Sequence, residues 1–405
     1  MKQEISFLNS IESEEGRMVE LATRWSEINT HTFHLSGIEK MSLLVSREFA
    51  TLGAEAKSIP LNSSASVNDK GSIESFPLAP ALSFRMRPLL EKQALLVCHM
   101  DTVFSKDDSF QKVERPNAEI LKGPGVTDAK GGIVILFKAL QAFEESPLAK
   151  KIGWEVLLNT DEEIGSPGSL PLLLERAKRN QIGFVFEPAL SDGNLVGTRK
   201  GSGNFTLVTR GRAAHAGRDH VLGRNAIDAM AACITAIRNL NYKKPGLTIN
   251  FGVVRGGTQV NVVPDLAVTQ FNVRVRKPED IKYVLNRTNH TIHLIERKHE
   301  VKIAIHGAFS APPKLLEGKS LAIHQHVLET AKELGLSVNL KESGGVCDGN
   351  RLNAEGLPTV DSMGAVGERI HSHEECLKVQ SLVERAKLTA LCLAKWASGA
   401  WDKKN

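Results

Sequence analysis

The sequence predicts an α/β protein in two units. Residues 1–200 and 309–405 are expected to form a mostly parallel sheet with helices on both faces, and residues 201–308 a smaller α+β unit inserted into it. Three observations predict this. The apolar runs Ala94 to Cys98, Trp154 to Leu158 (broken only by Glu155) and Phe184 to Phe186 are near-continuous rather than alternating, as strands covered on both faces are. Segments of helical periodicity separate them. Between Gly201 and His306 the pattern changes to strand, helix, strand, strand, helix, strand.

Taken in order, Met18, Leu21, Trp25 and Ile28, then Ile38, Met41, Leu44 and Phe49, recur at helical spacing and predict two helices broken around Thr30-His31-Thr32. The Ser-, Asn- and Pro-rich stretch Ser58 to Pro80 reads as a loop or an irregular strand. A strand ends at His99, a helix runs from about Ile133 to Phe143, a strand from Trp154 to Leu158, a helix from Leu170 to Ala177, and a short strand ends at Glu187. In the inserted unit Phe205 to Thr209, Leu247 to Val254, Val268 to Val275 and Val301 to Ile305 are strands, with helices at Ala226 to Leu240 and Ile281 to Ile295. That order is a ferredoxin-like unit. A helix near Leu321 to Leu334, strands near Val338 and Val360, and a helix from Leu377 to about Trp396 close the chain. Asp348 and Asn350 fall in a glycine-rich stretch read as a turn bordering the site.

At 405 residues and 41% hydrophobic content the chain is long enough for two or three domains with a sizeable core. Its 51 basic and 46 acidic residues leave only +5, evenly spread, which gives no reason to expect a nucleic-acid or membrane-surface partner. The N-terminus carries acids throughout without an apolar core segment, so a cytoplasmic location is expected. Five scattered cysteines (Cys98, Cys233, Cys347, Cys376, Cys392) without a CxxC pair predict reduced, packed thiols. Any metal must then be held by His, Asp and Glu.

Open α/β sheets place ligands beyond the carboxyl ends of their strands. Polar residues gather at five such positions: His99 with Asp101, Asp128, Glu162 with Glu163, Glu187, and His371 with its neighbour His373. Two imidazoles and several carboxylates suit zinc, and the acids exceed what one ion needs, so a two-metal centre would absorb their charge. Strand alternation turns Cys98 away from the site and returns Asp101 to the side of His99, as support for a ligand. Adjacent Glu162 and Glu163 need not share a role: one can bind metal while the other serves as general base. Alone, they are equally well explained as first-turn helix acids. The glycines around Asp128 do not make a phosphate loop, since the Gly-Lys-Ser/Thr order is missing. Spacing does not choose between His371 and His373.

The strings HMDTV, GPGVTDAKGG, NTDEEIGSPGS, FEP, GRAAHAG, GGTQVNVVPD, VRVRKPED and HSHEE, in this order over nearly the whole chain, resemble the zinc aminoacylase and carboxypeptidase superfamily. That group includes glutamate carboxypeptidases, acetylornithine deacetylases and succinyl-diaminopimelate desuccinylases, and the first two strings are most similar to the glutamate carboxypeptidase branch. The resemblance implies a hydrolase with two zinc ions, for which cobalt can substitute. One ion would be held by His99 and Glu187 and the other by Glu163 and His371, with Asp128 between them. It further implies Glu162 as general base and Asp101 behind the ligands. It implies a homodimer in which His215 and Asn261 are lent to the partner's site, and Arg274 as the group that binds the α-carboxylate of a small or short-peptide substrate. In place of the branch's lysine eight residues after the Glu187 position stands Leu195, which weakens the inference that glutamate is the released residue. An inactive dimeric binding homologue would have a broken ligand set, and no metal position is substituted.

Overall fold

The computed structural model describes residues 6–402. Helices α1 (Glu15–Ser26) and α2 (Leu35–Ala50) precede strands β1 (Glu55–Ile59), β2 (Ala81–Met86) and β3 (Gln93–His99). Then follow α3 (Gly131–Glu145), β4 (Gly153–Asn159), α4 (Leu170–Arg179) and β5 (Ile182–Val185). The next segment is β6 (Gly201–Arg210), α5 (Ala226–Arg238), β7 (Thr248–Gly256), β8 (Leu266–Val275), α6 (Pro278–His299) and β9 (Lys302–Ala311). Helices α7 (Gly318–Glu333) and α8 (Asp348–Ala354), strand β10 (Thr359–Val360) and helix α9 (Gln380–Ser398) follow. Shorter strands, among them Leu195–Arg199, Leu340–Ser343 and Cys376–Lys378, lie between these elements, so that the last helix begins at Gln380 rather than Leu377.

The larger sheet has the order β1-β2-β4-β3-β5-β10. β4, β3, β5 and β10 run parallel, and β2 and β1 add antiparallel pairings at one side. Side chains along β3 part strictly by face. Leu95 and Val97 join Leu157, Val185, Leu172, Leu173 and Leu352 in one cluster, while Ala94, Leu96 and Cys98 enter the larger core with Phe137, Trp154 and Phe184. Both faces are therefore dry, which is why β3 and β4 are buried along their whole lengths. Truncating a residue such as Leu96 would remove about 2–5 kcal/mol of stability.

The stretch read as loop holds the end of β1 and a hairpin of strands Ser64–Val67 and Ile73–Phe76. The second sheet has the order β7-β8-β6-β9, antiparallel throughout. α5 and α6 pack on one face of it, around Leu207, Met230, Phe271, Val273 and Ile292.

Beneath the junction of the two sheets lies a buried polar knot. Asp361 accepts from Lys314 Nζ at 2.7 Å and from Arg199 Nη2 at 2.9 Å. His324 Nδ1 lies 2.6 Å from the Ser320 carbonyl, so the ring donates there and turns Nε2 toward Lys314 Nζ, 3.4 Å away. Burial, reinforced by the Lys314 charge, pushes the His324 imidazole down to about 4. Its unfolded value is near 6.5, so the unfolded chain binds the extra proton between pH 6.5 and 4, and stability falls as pH drops through that window. Wild type is expected to lose about 2 kcal/mol more than His324→Asn between pH 7 and pH 5, read from paired denaturant melts. Parallel losses in the two proteins would refute the assignment.

Candidate metal centre

His99 ends β3, Glu162 and Glu163 occupy the single turn after β4, Glu187 follows β5 by two residues, and Asp128 sits in the turn that opens α3. The loop between β10 and α9 delivers His371. All lie at the carboxyl end of the parallel strands, where helix N-termini and free strand ends leave polar groups to be satisfied.

Asp128 is the meeting point. Its Oδ1 lies 3.0 Å from His99 Nε2 and its Oδ2 3.2 Å from His371 Nε2. Glu163 Oε2 is also 3.2 Å from His371 Nε2, and Glu187 Oε1 is 3.9 Å from His99 Nε2. Ligand atoms of His99, Asp128 and Glu163, and of His99, Glu162 and Glu187, fall within 4.8 Å of one another. His373 lies apart, 2.9 Å from Asp108 and stacked on Phe110, so the geometry selects His371.

The electrostatics call for a cation. His99 Nδ1 lies 2.9 Å from the main-chain carbonyl of Asp101, so a neutral ring donates there and aims its Nε2 lone pair at two carboxylates. Among the described residues, Glu163 Oε1 is buried without a hydrogen-bond partner. Burial and the neighbouring Glu187 push Glu162 well above the usual carboxylate range. Burial lifts Glu187 to about 8 against the pull of His99. His371 is driven up to about 10 by its contacts with Asp128 and Glu163. Burial opposes ionisation of Asp128, but His371 and His99 outweigh it and hold Asp128 below its ordinary value. The cluster thus draws protons to itself, and divalent ions would replace them. Two imidazole nitrogens and carboxylate oxygens form a donor set that suits zinc.

Behind these groups the carboxylate of Asp101, fully buried, accepts from Thr32 Oγ1 at 2.8 Å and from the main-chain N–H groups of Glu162 and Glu163 at 3.2 Å each. The strand ends at His99, so Asp101 lies beyond it and aligns the Glu162 turn as much as the imidazole, which it orients mainly through its carbonyl.

Asp348 and Asn350 are corrected from turn to helix: they open α8, fully buried. Asp348 accepts from Asn159 Nδ2, Ser166 Oγ and Arg351 Nη1 at 2.6–2.7 Å, and Arg351 approaches Glu162 at 4.0 Å.

Glu375 has no counterpart in the sequence reading. Fully buried, it accepts from the main-chain N–H of Gly125 (3.2 Å), Thr127 (2.9 Å) and Asp128 (3.0 Å), and its carbonyl accepts from Gly123 N–H (3.1 Å). It ties the Asp128 turn to the loop that carries His371. Its position in HSHEE, four residues from His371, is the one signal the sequence offers.

His215 and Asn261 lie together on an exposed edge of the inserted unit, where Ala216 N–H donates to the Asn261 carbonyl at 3.0 Å. Within one chain neither joins the acidic cluster. Arg274, half-buried on the helix-free face of the second sheet, donates to Asn272 Oδ1 at 2.9 Å and lies 3.4 Å from the Gly344 carbonyl. Leu195 is fully buried in the main core.

A family model described as "Peptidase family M20/M25/M40" matches residues 95–395, which span His99, Asp128, Glu163, Glu187 and His371. The chain belongs to peptidase family M20/M25/M40. It is a hydrolase of that metal-dependent family, and peptides or acyl amino acids are the family's substrates. Among M20 relatives, carboxypeptidase G2 of Pseudomonas sp. (strain RS-16) is 28% identical over 317 residues, 76% of this chain and 75% of that protein. Succinyl-diaminopimelate desuccinylase of Marinobacter nauticus is 25% identical over 275 residues, 65% of this chain and 71% of that protein. In fold the chain matches a tripeptidase from Staphylococcus aureus (TM-score 0.74, 22% identity, 95% of this chain and 99% of that one). It likewise matches an M20 family metallo-carboxypeptidase from Sulfolobus solfataricus (TM-score 0.73, 14% identity, 94% and 99%). Among the described residues no helix is long and apolar enough to cross a membrane.

Replacing Glu375 by Gln turns an acceptor of main-chain N–H groups into a partial donor beside Asp128. Metal affinity, measured by competition with a chromogenic chelator, is expected to fall roughly 10–100-fold. Unchanged affinity would reduce Glu375 to a structural staple.

Proposed function

We propose that this chain hydrolyses the amide of an N-acyl or peptidyl amino acid with two zinc ions, in the manner of a glutamate carboxypeptidase. The observation that supports the reading is Asp128, whose Oδ1 meets His99, itself near Glu187, and whose Oδ2 meets His371, itself near Glu163. On this reading His99 and Glu187 would hold one ion and Glu163 and His371 the second, with Asp128 available to either. Zinc bound there would polarise the scissile carbonyl and acidify water.

The chain's own residues do the rest. Glu162 is raised by burial and by Glu187, which suits a group that takes a proton from the attacking water and returns it to the leaving nitrogen. Arg351 lies 4.0 Å from Glu162, placing a positive charge near it. Arg274 receives the free α-carboxylate of the substrate, for which a planar guanidinium fork is suited. Residues 1–200 and 309–405 act as the catalytic unit and 201–308 as a dimerisation and lid unit. In a homodimer, His215 and Asn261 reach the partner's site, His215 to steady the oxyanion. Exposed Val221, Leu222, Val254 and Val260 near that edge support burial against a second copy. A cytoplasmic location remains part of the proposal. The deacylase reading, of acetylornithine or succinyl-diaminopimelate type, uses the same centre and gains support from Leu195, whose burial leaves no lysine for a glutamate side chain.

Protein prepared without chelator is expected to carry about two zinc ions per chain by elemental analysis, and less than about one would favour an inactive homologue. Glu162→Gln should keep both ions and lose roughly 10²–10⁴-fold in kcat. Near-normal turnover would remove Glu162 from the role of base.

The homodimer is tested by mixing. Glu162→Gln and His215→Ala chains, each inactive alone, should regain activity when refolded together, because one site of the mixed dimer is intact. A mixture that stays inactive refutes the trans contribution.

A further inference from the structure

The face of the second sheet that lacks helices borders an open cavity of about 750 Å³, lined also by the hairpin at Ile73 and by Ile164, the residue after Glu163. That volume suits a small ligand, for which roughly 300–1,000 Å³ is usual. The wall is built from two cross-strand rows. Asn250, Asn272 and Asn204 are register partners across β7, β8 and β6. Gln270, Thr206 and His306 are partners across β8, β6 and β9. Along β8 the residues Arg274, Asn272 and Gln270 point to the same face in steps of two, so the rows lead away from Arg274.

The chemistry of the wall is narrow. No acid, lysine or arginine lines the cavity. Among the described residues the side chains of Asn250, Gln270 and His306 have no hydrogen-bond or ion-pair partner, whereas Asn272 is held by Arg274 and donates to Asn204 Oδ1 at 2.7 Å. Carboxamides that both donate and accept match peptide groups, and a wall without charge offers nothing to a charged side chain.

We propose that this wall is a subsite for the acyl side of the substrate, taking an uncharged, amide-bearing chain of several residues, so that peptidyl amino acids are preferred over short N-acyl ones. The proposal rests on the reading of the metal centre as an amide hydrolase. It commits to the acyl side because Ile164, next in sequence to the ligand Glu163, lines the cavity, whereas Arg274, the group assigned to the carboxylate, does not.

The test uses metal-loaded full-length protein and N-acetyl-alanine peptides with one to four alanines, which keep the released residue constant. In wild type kcat/KM should rise about tenfold or more with length. In Asn250→Ala/Gln270→Ala the ratio of longest to shortest should fall about tenfold, the effect of losing two modest hydrogen bonds. Gln270→Trp, which fills the cavity while leaving the main-chain ladder in place, should lower the same ratio. A ratio independent of length, or one that neither variant moves, overturns the proposal. Calorimetric binding of the longest peptide in a Glu162→Gln background separates the two readings. Weakened binding in the cavity variants upholds the subsite even if wild type hydrolyses no member of the series, in which case the hydrolase reading falls instead. Equal binding by all variants overturns the subsite whatever the rates.

Discussion

Asp128 shares its carboxylate between two imidazoles that arrive from opposite ends of the chain, and the rest of the site is arranged to keep it there. Asp101, Glu162, Glu163 and Glu187 crowd around the same point. Two like charges 4 Å apart repel by about 4 kcal/mol even at an effective dielectric of 20. Such a cluster persists only if protons or cations neutralise it, and the upward shifts at Glu162 and Glu187 express that demand. The fold meets it by converging parallel strand ends on one place and by spending buried acids, Asp101 and Glu375, on main-chain N–H groups rather than on metal.

The parts of the fold legible in sequence are those whose burial is apolar. β3 is a continuous hydrophobic run and β4 one broken only by Glu155, because both faces are covered, and the helices of the inserted unit keep a clean periodicity against one side of its sheet. Segments buried through hydrogen bonds were not legible. β2 contains Ser83 and Arg85, and Ser83 donates to the buried Glu155, itself paired with Arg176 and Arg179, so the pattern looks like surface. α8 opens with Asp-Gly-Asn and hides its polar groups in a network with Asn159, Ser166 and the Pro312 carbonyl.

The site divides in the same way. Strand-end logic finds His99, the Glu162 turn and Glu187, because each ends an apolar run. His371 over His373 depends on a loop of positive-φ residues, Arg369 and His371 among them, whose path no local pattern encodes. Glu375 is invisible for a related reason: its partners are main-chain groups some 250 positions away, and a main chain leaves no trace in side-chain spelling.

Leu195 shows how far the same chemistry leaves selectivity open. It opens a strand, Leu195–Arg199, whose first N–H donates to the Asn339 carbonyl, and its side chain is wholly within the main core. A lysine placed there without rearrangement would lose its hydration with no carboxylate to replace it, a cost of several kcal/mol. On the proposed reading, recognition of the released residue falls to Arg274, which lies beside the Gly344 carbonyl. An arginine in that proposed role reads a carboxylate attached to any amino acid, so on the same reading discrimination among substrates shifts toward whatever contacts the remaining, acyl part of the molecule.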